Sequence, residues 1–178
     1  MTLAAKRAER DPAEIKLIAV SKTKPAAAVL EAIAARCNSF GENKVQEADT
    51  KINEIGRDKA DWHLIGHLQK NKARRAVQLF DVIHSVDSHE LAHRLERICA
   101  EEGRPSLDVL VQVDLAGEAT KSGIAETELQ LLVEVLKRCE HLRFVGLMVI
   151  PPFFDDPEDV RPFRSEERRV GKECRSRW

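Results

Sequence analysis

The sequence of 178 residues contains no tyrosine, and aromatic residues make up only 4% of it. No phenol is therefore available as an acid, base or nucleophile. Its four cysteines, Cys37, Cys99, Cys139 and Cys174, show no C-x-x-C or other metal-ligand spacing. Their number is even, but disulfide frameworks belong to small secreted domains, so reduced thiols in a cytosol are expected. No apolar stretch approaches the ~20 residues of a membrane span. The opening MTLAAKRAERDPAE lacks the apolar centre of a secretory signal. A formal net charge of −1, with no basic stripe interleaved with aromatics, argues against nucleic acid. A cytoplasmic chain with neither a membrane nor a nucleic-acid partner is expected. Apolar residues at 43% and charged residues at 33% are the proportions of a soluble globular protein.

What is present is an alternation of short apolar runs with amphipathic stretches. Strands are expected at Lys16–Lys22, Ser39–Glu42, Trp62–Gly66, Val82–Val86, Leu107–Asp114 and Leu142–Ile150, the last closed by Pro151-Pro152. Helices are expected at Ala26–Arg36 (Leu30 and Ile33 inward), Lys44–Ile55, Gln69–Phe80, from a Ser88 cap through Glu102, and at Glu126–Cys139. Strands this apolar are buried on both faces, which implies a parallel sheet. Such an α/β chain folds as a doubly wound sheet or as a (β/α)8 barrel. No glycine-rich dinucleotide fingerprint follows the first strand, which favours the barrel, here with about six of its eight strands.

The last fifteen residues, RSEERRVGKECRSRW, carry six Lys/Arg and three Glu without a periodic apolar face. One coding sequence for all fifteen is the reverse complement of a common sequencing adapter. The expectation is a partial barrel domain over 1–163 and an adapter-derived, non-native tail over 164–178, where Cys174 and Trp178 carry no meaning.

In a barrel, function collects at the C-terminal ends of the strands. Here those ends hold Lys22, Glu42-Asn43, Gly66-His67, Asp87, Asp114 and Met148. Lys22 follows the apolar run Ile18-Ala19-Val20. Partial desolvation and nearby Lys24 would favour its neutral amine, the nucleophile needed for a Schiff base. A solvated strand-end lysine is the competing reading.

The motifs IAVSKTKP (18–25), FGENKVQEA (40–48), WHLIGHLQKNK (62–72), VDS (86–88), VQVDLAGEATKSGI (111–124) and GLMVIPP (146–152) occur in this order. Over about residues 12–152 the chain closely resembles the pyridoxal-phosphate homeostasis proteins. The resemblance implies a barrel like the N-terminal domain of alanine racemase, with pyridoxal 5'-phosphate (PLP) as a Schiff base on Lys22. It puts Asn43 and Met148 near the cofactor ring, and Lys121 at the mouth. Asn43 as a helix cap and Met148 as core filler are the competing readings. The expected partners are PLP and PLP-dependent apoenzymes, and a monomer is expected of the intact protein. The family's final strands, glycine-rich phosphate loops and an arginine near the pyridine nitrogen are missing from this sequence. The 178-residue chain is therefore expected to expose apolar strand edges and to hold PLP poorly.

Two rival functions remain. A PLP-dependent racemase of this fold pairs its lysine with a tyrosine on the opposite face of the cofactor, and tyrosine is absent. HELAH (89–93) matches the H-E-x-x-H zinc motif, but Leu91, Leu95 and Ile98 set the buried direction and turn His89 and His93 away from it. GEATKSG (117–123) lacks the order of a phosphate loop. His63 and His67 suit packing and hydrogen bonding better than metal binding. The preferred reading is a PLP carrier for B6 homeostasis without strong catalysis.

Overall fold

The computed structural model describes residues 2–115, 122–152, 154–165 and 170. Its principal elements are α1 (Thr2–Arg7), β1 (Ala19–Val20), α2 (Ala26–Ala34), β2 (Ser39–Glu42), α3 (Val45–Ile55), β3 (Asp61–Leu64), α4 (Ala73–Leu79), β4 (Val82–Val86), α5 (His89–Glu101), β5 (Leu107–Asp114), β6 (Ile124–Ala125), α6 (Glu126–Lys137) and β7 (Leu142–Met148). Every strand pairing is parallel. The sheet runs β1-β2-β3-β4-β5, and β5 then pairs with β7 along most of its length and with the short β6 at its C-terminal end.

This sequential order decides between the two architectures left open above. A doubly wound sheet reverses its strand order at a switch point. Here each new strand adds on the same side, so right-handed crossovers carry successive helices round one face. Neighbouring helices accordingly touch in chain order, α2 with α3 through α5 with α6. This is the arrangement of a (β/α)8 barrel, with six principal strands among the described residues.

Alternation along the strands sorts the two faces. Phe40 and Glu42 of β2 face α3, and the Phe40 ring lies 5.7 Å from that of fully buried Trp62. This helix-facing layer, with Leu64, Ile83, Val109 and Val111, forms the core. His63 points to the opposite face, where its Nδ1 lies 2.8 Å from Nε2 of His84 on β4. Burial, more than any neighbouring charge, depresses both imidazoles, His84 to about 4.

Several boundaries differ from the sequence pattern. The first strand shrinks to two residues because β1 bonds only β2 among the described residues, and an edge strand with one partner has half the ladder to hold it. Leu30 faces outward, 47% exposed, while Ala26 and Val29 turn inward. The stretch Gln69–Phe80 splits into a 3-10 turn, Lys70–Lys72, and α4. Strand β6 was not foreseen, since two residues carry no periodicity. Ser88 caps α5 as expected, its hydroxyl accepting the Leu91 amide proton. In 164–178, Val170 is buried against the core, so one tail residue packs on the domain. No helix among the described residues is long and apolar enough to cross a membrane.

The histidine pair makes stability depend on acid. An unfolded chain takes up the His84 proton near 6.5, the folded protein only near 4, so acidification between these values favours unfolding. Urea midpoints should fall across that window, and His84→Gln should flatten the fall. An unchanged slope in the variant would show that other groups set it.

Candidate functional site

A cavity of about 510 Å³ opens at the C-terminal ends of the strands. Its wall brings together Lys22, Asn43 and Met148, which stand after β1, after β2 and at the end of β7. Gly66, His67 and Asp114 join them from the ends of β3 and β5. The remaining wall is largely apolar, with Val20, Ile65 and Ile150. A mostly apolar wall with a few convergent polar groups, in the range of about 300–1,000 Å³, is the usual form of a small-molecule site.

Lys22 is exposed rather than partly desolvated as expected. The reason is the edge position of β1: among the described residues no strand covers its outer side. Asn43 is not the cap of α3, a position taken by Lys44 without a side-chain bond. Met148 is half-buried. Lys121 lies outside the described residues.

The turn that carries Lys22 is tied down from below. Ser21 is buried and its hydroxyl donates to Glu42 Oε1 at 2.6 Å. Lys51, on α3, donates from Nζ to the same oxygen at 2.5 Å and to the Ser21 carbonyl at 2.7 Å. Both partners are withdrawn from water, Lys51 at 5% and Glu42 at 0% exposure. Glu47 Oε1 accepts the Thr23 amide proton at 2.5 Å and lies 3.4 Å from Lys51 Nζ. The Thr23 bond, aided by the Lys51 charge, holds the Glu47 carboxyl below its ordinary range. Thr23 itself has φ 63, the left-handed region that β-branched residues avoid. None of the Lys51 contacts was legible in the sequence; the one available signal was a lysine on the apolar side of a helix pattern, between Ala48 and Ile52.

Two more loops shape the rim. A Cβ at Gly66 would sit 2.3 Å from the Asn43 carbonyl oxygen, so only glycine lets the β2 and β3 ends approach this closely. Gln112, on β5, donates to the Ser122 carbonyl at 2.6 Å, and both residues line the cavity. At the mouth, His67 Nδ1 lies 3.4 Å from Asp87 Oδ2.

The matching sequence family is "Alanine racemase, N-terminal domain", over residues 3–177. The pyridoxal phosphate homeostasis protein of Escherichia coli (strain K12) is 44% identical over 166 residues, covering 92% of this chain and 70% of the relative. The chain belongs to the pyridoxal phosphate homeostasis protein family. The namesake from Pseudomonas aeruginosa is 49% identical over 148 residues, covering 83% of this chain. The chain spans 64% of the length of that relative, less than two thirds. The solved structure of PipY from Synechococcus elongatus with PLP bound superposes with a TM-score of 0.85 at 41% identity, covering 98% of this chain and 81% of that one. Alanine racemase from Clostridium difficile shares the fold alone, at 15% identity and a TM-score of 0.72 over 97% of this chain and 45% of that one.

In the HELAH helix Leu91, Leu95 and Ile98 are buried and His93 is exposed as its pattern implies, while His89 is half-buried. Among the described residues, no group of three His, Cys, Asp or Glu side chains is placed to hold a metal ion. Cys37, Cys99 and Cys139 are unpaired, and burial pushes the Cys99 and Cys139 thiols up to about 11.

Gly66→Ala should displace Asn43 and the cavity rim and destabilise the protein by about 1–3 kcal/mol, the usual cost of overpacking. Urea unfolding checks the cost. A variant as stable as the wild type would mean that the two strand ends separate freely.

Proposed function

We propose that this protein binds pyridoxal 5'-phosphate in the cavity at the strand ends, holds it as a Schiff base on Lys22, and serves intracellular B6 homeostasis as a carrier. The observation that carries the reading is the convergence of Lys22, Asn43 and Met148, far apart in the chain, on one cavity. The PLP-bound structure of PipY, at 41% identity, supports it.

The residues present suit this ligand. PLP supplies an aldehyde that condenses with a primary amine and a ring that withdraws electrons. Lys22 offers that amine at an exposed strand end, within reach of a dissolved ligand. Met148, Ile65 and Ile150 offer an apolar wall for a planar ring, and the Asn43 carboxamide offers hydrogen bonds. A fast PLP enzyme also needs an acid or base on each reacting face. None of these 178 residues is a tyrosine, so this stretch of chain supplies no second base of a lysine–tyrosine racemase. PLP-dependent apoenzymes are the proposed recipients of the cofactor.

Borohydride treatment of the protein incubated with excess PLP, followed by peptide mass mapping, should place the pyridoxyl label on Lys22. Lys22→Ala should lose the imine absorption band. A label on Lys24 or Lys121 in the wild-type protein would overturn the assignment. Alanine and serine should not be racemised at a useful rate by the loaded protein. Robust turnover would replace the carrier reading with an enzymatic one.

A further inference from the structure

Among the described residues the side chain of Lys22 makes no hydrogen bond or ion pair, so its backbone sets where it starts. That backbone is unusual. The residue after it, Thr23, is β-branched and left-handed at φ 63. Such a conformation persists only where the surroundings over-determine it. Here they do. The Ser21 amide donates to the Gly41 carbonyl at 3.0 Å, and the Lys24 amide donates back to the Ser21 carbonyl at 3.0 Å. Lys51 reaches the same Ser21 carbonyl, and Glu47 takes the Thr23 amide proton. Both come from α3, whose Val45, Ala48, Ile52 and Ile55 are buried in the core. The turn is thus tied to the buried helix α3 on both sides of Lys22.

The Lys51–Glu42 pair is hard to explain as a source of stability. Burying two charges costs about as much as their attraction returns, and apolar replacements are often neutral or better. Its Glu42 carboxylate even keeps one oxygen, Oε2, buried without a partner. What the pair does supply is a single geometry: one ammonium group joins the end of β2, the carbonyl of Ser21 and the carboxylate of Glu47. Lys51 is 5% exposed, with its ammonium group engaged on Glu42, Glu47 and the Ser21 carbonyl.

We propose that Lys51, together with Glu42 and Glu47, is a positioning residue for Lys22: it locks the Ser21–Thr23 turn in its left-handed form and so aims the Lys22 amine into the cavity. The proposal rests on the reading of Lys22 as the PLP-bearing residue. The lock acts before ligand arrives, since every contact in it lies within the protein.

Two measurements test it together. The first is the rate at which the imine band forms on adding PLP, with the labelled residue mapped after borohydride reduction. Lys51→Met should slow this by about ten-fold or more, since small displacements of a reacting group carry penalties of that order. Lys51→Arg, which keeps a cation and its donors, should recover most of the rate. The second is amide hydrogen exchange in protein without PLP. Exchange at Thr23 and Lys24 should rise about ten-fold in Lys51→Met, while the amides of β3 and β5 keep their protection. Should Lys51→Met fail to fold, Glu47→Ala carries the test, because Glu47 is partly exposed and its removal frees only the Thr23 amide and one Lys51 contact. It should change both readouts in the same direction by about three-fold.

Turn amides that exchange at the wild-type rate in a folded variant would overturn the proposal. So would faster exchange with an unchanged rate of imine formation on Lys22. Lack of any Lys22 label in the wild-type protein would instead remove the PLP reading and with it the purpose assigned to the lock. The exchange data would then still decide whether Lys51 holds the turn.

Discussion

Glu42 and Lys51 form an ion pair that water does not reach, and the working end of this molecule is arranged around it. Glu42 closes β2, and Lys51 stands on the helix that follows. Their contact ties the second crossover of the barrel, α3, to its sheet at the level where the cavity begins. Through the Ser21 hydroxyl and carbonyl the same contact reaches across to β1, an edge strand of two residues that would otherwise be held only by its ladder with β2. A two-residue strand can hold Lys22 at a defined place because the buried contacts beneath it fix where that strand ends.

The barrel order explains why the remaining site residues meet. Parallel strands added sequentially present all their C-terminal ends on one rim. Asn43, Gly66, His67, Asp114 and Met148 reach one cavity from four different strands for that reason, with no contact between them needed in the sequence. Glycine at position 66 then lets two of those ends close to backbone contact. The apolar edges that remain, with Val20 at 52% and Val145 at 46% exposure, lie on β1 and β7, each of which bonds one neighbour among the described residues.

Much of the fold was legible because burial writes itself into composition. Strands β2, β4 and β5 appear with the boundaries expected for them, and each is held by at least two neighbouring strands. The Ser88 cap was readable because its bond is local, three residues long. Failures cluster where the deciding contact is remote. Strand β1 lost residues for lack of a second partner, β6 exists only because β5 extends far enough to pair with it, and Leu30 turned outward because Ala26 and Val29 took the buried stripe of α2.

The same division runs through the site. Local pattern determined that an apolar strand ends in Lys22, that polar residues follow the other strands, and that motif order matches the pyridoxal phosphate homeostasis family. Periodicity and turn chemistry act over a few residues, so one chain suffices to read them. Only the tertiary structure decided that Lys22 is open to solvent, that Lys51 is buried against Glu42, that Thr23 is left-handed, and that His63 meets His84. Each of these depends on which strand lies beside which helix. Electrostatic and steric terms of that kind are set by distance in space, and separation along the chain carries no measure of it.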